Sequence, residues 1–154
     1  MAALSDSIER FIKELMETDT RVELKRNELA QYFSCAPSQI NYVLATRFSM
    51  DRGYLVESRR GGGGYVKIIR ITQSDTDLLS LLIQRIGSAI DDESACSIIL
   101  RLYDMNVITA REAEIMRAAV SCEAINLPLG AKDALRAAIL KNIVVQAFKS
   151  LREA

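Results

Sequence analysis

The side chains of this sequence best suited to binding chemistry lie in two short runs. In the first, Arg59 and Arg60 precede four consecutive glycines, Gly61, Gly62, Gly63 and Gly64, and then Tyr65. Glycine lets a backbone approach another surface closely, but ordering each one costs about 0.5–1 kcal/mol more than ordering alanine. A hairpin needing only a turn would use two residues. Four therefore suggest a loop that inserts into a partner, and the arginines at its base suggest an anionic one. A phosphate cradle of the nucleotide-binding kind is a weaker reading because no G-K-[ST] follows the glycines, and a floppy hairpin tip is the bland one. In the second run, Pro37, Ser38, Gln39, Asn41, Tyr42 and Arg47 form a polar set whose hydroxyl, amide and guanidinium groups suit base edges and phosphates.

Enzyme chemistry has little to work with. There is no histidine, which excludes triads with a histidine base and HExxH metal sites. Cys35, Cys96 and Cys122 are odd in number and far apart, so neither a disulfide framework nor a common zinc spacing can be assembled. They read as buried structural thiols. The expectation is a protein that is not an enzyme and carries no metal or other cofactor.

Formal net charge is zero, yet the charges are unevenly placed. Residues 24–72 carry eight basic side chains against three acidic ones. Residues 1–23 carry three against six, and residues 73–154 nine against eleven. A basic footprint confined to one segment of an otherwise acidic chain fits a local DNA-facing surface. There is no apolar run of membrane-spanning length, and the N-terminal stretch has acidic residues where a signal peptide would be basic and then apolar. The expectation is a cytoplasmic protein with no membrane partner.

The elements that must position these groups follow from periodicity. Ser5 is placed to cap a first helix running to about residue 17, with Ile8, Phe11, Ile12, Leu15 and Met16 on one face. An extended piece over 21–24 comes next. A helix over 26–33 then precedes a third one opened by Pro37, whose fixed φ and missing N–H suit a first helical position. Counted from Arg26, the apolar sites of a helix-turn-helix are filled by Leu29, Phe33, Cys35, Ile40 and Val43, and the small site by Ala30. Ser34 stands where glycine is common. After Gly53, two strand-like runs flank the glycines and read as a hairpin, the wing.

The polar residues Thr72, Gln73 and Ser74 are the candidate linker. Beyond them four helical segments are expected, over 75–87, 92–106, 109–121 and 131–152, with Thr109 and Glu112 as a capping-box pair. The last carries a broad apolar stripe through Leu135, Ile139, Leu140, Ile143, Val144, Ala147, Phe148 and Leu151. A domain of this size has limited core, so part of that surface is expected to be shared with a second copy. The expected fold is an α+β winged helix-turn-helix over residues 1–72, followed by an all-α, four-helix dimerisation domain over 75–154. A protein-interaction module in which the winged helix docks another protein is the rival reading.

The stretches PSQINYVLATRF and RGYLVESRRGGGGYVKIIRI, within a likeness that covers essentially the whole chain, resemble the class III stress gene repressor (CtsR) family of Gram-positive bacteria. The resemblance implies a homodimeric repressor of Clp chaperone and protease genes that binds a directly repeated operator in double-stranded DNA. It further implies release by heat, or by a protein arginine kinase acting in the DNA-binding region, and contact with the Clp protease machinery. Matched by motif, the implied DNA-facing residues are Arg26, Ser38, Gln39, Asn41, Tyr42, Arg47, Arg60 and Gly61, Gly62, Gly63 and Gly64. Arg60, Arg26 and Arg47 are the candidate phosphorylation sites.

Overall fold

A computed structural model describes residues 2–59 and 64–151. These fall into two compact units, residues 1–76 and 77–154. The first unit begins with helix α1 (Ala2–Leu15) and strand β1 (Arg21–Lys25), followed by α2 (Arg26–Tyr32) and α3 (Pro37–Arg47). A 3₁₀ turn (Met50–Arg52), β2 (Tyr54–Arg59) and β3 (Tyr65–Arg70) complete it. Helix α4 (Gln73–Ile86) crosses the boundary, and α5 (Asp92–Asp104), α6 (Ala110–Val120) and α7 (Leu129–Ser150) follow. Winged helix-turn-helix first, helical unit second, is the architecture the sequence predicts.

In the first unit, Ile8 and Ile12 on α1 and Met16 just past its end recur every four residues and are buried against Leu29, Ala30, Ile40, Val43, Leu44 and Phe48. The three strands pair antiparallel in the order β1-β3-β2. Val66 and Ile68 point from β3 into the helical core, while Ile69, one residue out of phase, is buried on the opposite face beside its cross-strand partner Leu55. The wing is the connection between Arg59 and Tyr65, the terminal pair of the β2–β3 ladder.

Two expectations are corrected. Ser5 does not cap α1, which starts at Ala2, and it lies buried one turn inside the helix. Gln73 and Ser74 are not irregular linker, because they form the first turn of α4, where the Thr72 hydroxyl accepts the Asp75 N–H at 3.1 Å.

The second unit packs Leu79, Leu82, Ile86, Ile99, Leu102, Val120, Leu140, Val144 and Phe148 into its core. The capping box at α6 is present in full, with Thr109 N–H donating to Glu112 Oε1 at 2.7 Å and Glu112 N–H to Thr109 Oγ1 at 3.1 Å. Of the α7 stripe, Leu140, Val144, Ala147 and Phe148 are buried, whereas Leu135 is exposed.

Candidate nucleic-acid interface

The turn that sets α3 against α2 has a defined geometry. Cys35 N–H donates to Ala30 O at 2.9 Å and Ser34 N–H to Gln31 O at 3.1 Å, which is the pair of bonds of a Schellman motif. Such a motif needs one residue in the left-handed region, and Ser34 supplies it with φ of 51°. The serine in the place where glycine is common therefore keeps glycine's conformation. Ala36 precedes α3 without a side-chain cap, and Pro37 occupies the first helical position as expected.

Ile40, Val43 and Leu44 turn one face of α3 into the core. The opposite face presents Ser38, Asn41 and Tyr42 to solvent at positions i, i+3 and i+4, with Tyr42 58% exposed. Gln39 sits half-buried at the edge of this face. The same stripe continues to Ala45 and Thr46, both exposed, which sequence reasoning passed over. A small apolar side chain at Ala45 is of the kind that packs against a thymine methyl.

Arg47 is placed differently from the rest. Its Nη1 donates to Glu9 Oε1 at 2.6 Å and to Asp6 Oδ1 at 2.9 Å, tying the end of α3 to α1. These two carboxylates raise the Arg47 pKa, Glu9 first. Lys13 and then Arg47, through hydrogen bonds, hold the Glu9 carboxyl below its ordinary value against an opposing cost of burial. The sequence interval of about forty residues between partners left no local pattern to announce this tie.

Arg26, the first residue of α2, stands at the base of the wing. Its backbone N–H donates to Gly64 O at 3.3 Å, and its Nη2 donates to Ser58 Oγ at 3.1 Å. A Cβ built on Gly64 would lie 4.0 Å from Arg26 Nη1, and Gly64 itself has φ of +69°. The Arg26 Nε is buried with no hydrogen-bond partner among the described residues. Arginine, serine and glycine thus join the start of α2 to both sides of the wing hairpin, and Ser58 is a member that sequence reasoning missed. Arg60, Gly61, Gly62 and Gly63, expected at the wing, lie outside the described residues. Arg59, which precedes them, pairs with Glu57 at 3.1 Å.

Two family models match this chain: the CtsR N-terminal HTH domain over residues 3–72 and the CtsR C-terminal dimerization domain over residues 74–145. The chain belongs to the CtsR family. It is 42% identical over 144 residues to the transcriptional regulator CtsR of Geobacillus stearothermophilus, spanning 92% of this chain and 94% of that one. It is also 42% identical over 147 residues to the CtsR of Staphylococcus aureus (strain USA300), spanning 94% and 96%. Among solved structures, a CtsR crystallised with a 26 bp DNA duplex is 41% identical, with 94% of this chain and 97% of that one covered. The whole-chain TM-score to it is 0.47, so the relation to that CtsR lies in the sequence. The CtsR relatives are named as transcriptional regulators, not enzymes.

Proposed function

We propose that this chain is a homodimeric, sequence-specific DNA-binding repressor that lays α3 in the major groove and its wing in an adjacent groove. The observation that carries the reading is the exposed face Ser38-Asn41-Tyr42 on a helix that a Schellman turn holds against α2, together with Arg26 at the wing base. Gln39 and Asn41 supply amides for base edges, and Arg26 and Arg60 supply positive charge for phosphates. Both ion pairs of Arg47 run through Nη1, and a guanidinium carries five donors. Arg47 is assigned a phosphate contact made while it stays anchored to α1. Gly61, Gly62, Gly63 and Gly64 let the wing backbone approach the duplex.

Dimerisation is assigned to the second unit. Leu100 and Ile115 are 58% and 59% exposed there, alongside Tyr103, Met105 and Leu127. A small domain gains by covering such a surface with a second copy.

The finer reading comes from the family resemblance: a directly repeated operator in front of Clp protease and chaperone genes, release by heat or by arginine phosphorylation, and handling by the Clp machinery in the cytoplasm. Phosphorylating Arg26 would put negative charge where Ser58 now accepts a hydrogen bond and where DNA phosphates would approach, so repulsion and loss of the wing anchor act together.

Binding to a DNA site selected from random duplexes, titrated with salt, tests the function. Four to eight phosphate contacts give a log–log slope of about −4 to −7 and a clear preference over scrambled DNA. Equal affinity for selected and scrambled duplexes would overturn sequence-specific repression and favour the protein-docking reading.

A further inference from the structure

Asp92, at the start of α5, brings two sulfur-bearing residues together. Its Oδ1 accepts the Cys96 thiol at 3.7 Å, one turn along the same helix, and its Oδ2 accepts the backbone N–H of Cys122 at 3.4 Å. Cys122 lies exposed just past the end of α6. Its Sγ accepts a hydrogen bond from Arg136 Nη2 at 3.6 Å. That guanidinium is fixed: Arg136 is only 1% exposed and donates to Val120 O at 2.7 Å, Ile90 O at 3.0 Å and Asp133 Oδ1 at 2.7 Å. Both cysteines line one cavity of about 660 Å³, together with Asp92, Glu114, Arg117 and Ser121.

Core packing accounts for neither sulfur, since one is exposed and the other faces a carboxylate. We propose that Cys122 and Cys96 form a redox pair, in which a hydroperoxide oxidises Cys122 and Cys96 resolves the product to an intramolecular disulfide. In the first step the Cys122 sulfur attacks the distal peroxide oxygen and the O–O bond breaks. The alcohol, or water from hydrogen peroxide, leaves with the thiol proton, and the sulfur holds a hydroxyl as sulfenic acid. The oxygen so added meets the Arg136 Nη2 donor already in place. In the second step the Cys96 sulfur attacks the Cys122 sulfur, forming S–S as S–O breaks. Asp92 Oδ1, already bonded to the Cys96 thiol, takes its proton and passes it to the departing hydroxide, which leaves as water. The peroxide is reduced by two electrons in all, and the two thiols supply them.

The test treats the full-length protein with hydrogen peroxide and needs no DNA, so its outcome is independent of the repressor reading. The expected result is a monomer mass lower by two hydrogens, a peptide joining Cys96 to Cys122, and Cys35 still reduced. In Cys96→Ser the Cys122 sulfenic acid should accumulate and be trapped by dimedone. In Asp92→Asn disulfide formation should slow at least about tenfold while the first oxidation keeps its rate, with circular dichroism confirming the fold. Equal oxidation of Cys35, a disulfide between two chains, or a Cys96→Ser protein without a dimedone adduct on Cys122 would each overturn the pair.

Discussion

At Arg26, charge and position are separable. Arg26→Ala should weaken binding to every duplex and reduce the salt slope by about one unit, as loss of one phosphate contact requires. Ser58→Ala removes no charge, yet it releases the Nη2 anchor. If Arg26 also positions the wing, that variant should lose affinity at an unchanged salt slope, and wild-type affinity would show that the anchor does not matter. Ser34 allows a stability test, because its left-handed conformation costs a side chain about 1–2 kcal/mol, partly offset by glycine's greater entropy loss. Ser34→Gly should stabilise the fold by about 0.5–1 kcal/mol, read as a higher urea midpoint. Glu9 gives a pH prediction. Its folded pKa lies below the unfolded value, so its contribution is present above the ordinary glutamate range and is lost as pH falls through the folded value. Thermal melts from pH 7 to pH 3 should therefore show a smaller loss for Glu9→Gln than for wild type, and parallel curves would count against the tie to Arg47 and Lys13.

The wing and the helices differ in how far local sequence reveals them. Pro37 at the start of α3 and the Thr109–Glu112 box at α6 were legible because each is a short-range rule acting within one turn. The start of α4 was not, since Thr72, Gln73 and Ser74 read equally as a polar linker and as a capped first turn, and the bonds from Asp75 and Thr76 to Thr72 decide. Ser5 misled for a related reason, because a serine that could cap a helix from outside is buried within one. For the site, the face of α3 was readable from spacing, whereas Arg47 to Glu9 and Arg26 to Ser58 join residues more than thirty apart. No local pattern encodes such pairs. For the wing itself, Gly64 carries φ of +69° beside Arg26, so Gly64→Ala should cost about 1–2 kcal/mol of stability, measured by urea unfolding, and should weaken DNA binding. An unchanged midpoint would mean that the hairpin base relaxes freely.

For the whole molecule, residues 73–154 should dimerise without the winged helix, because the exposed Leu100, Tyr103, Met105 and Ile115 give this unit apolar surface of its own to cover. Light scattering on that fragment decides the matter, and a folded monomer at micromolar concentration would refute it. Two linked readers also explain how a small winged helix gains enough specificity, since a half-site alone offers few base edges.

The β1-β3-β2 order places the entire helix-turn-helix between two strands that neighbour the same partner. Pairing β2 with β3 closes a short loop, within the microsecond range of hairpins, but pairing β1 with β3 closes a loop containing α2 and α3. Until those helices have packed, Val22 and Leu24 of β1 lack the core that they join in the native fold. Strand and helices therefore form one cooperative folding unit, in which the amides of β1 should exchange with solvent at the same opening free energy as those of α2 and α3. The β2–β3 ladder, closed locally, is free to assemble earlier, before β1 and the two helices that precede it in the fold are locked in place.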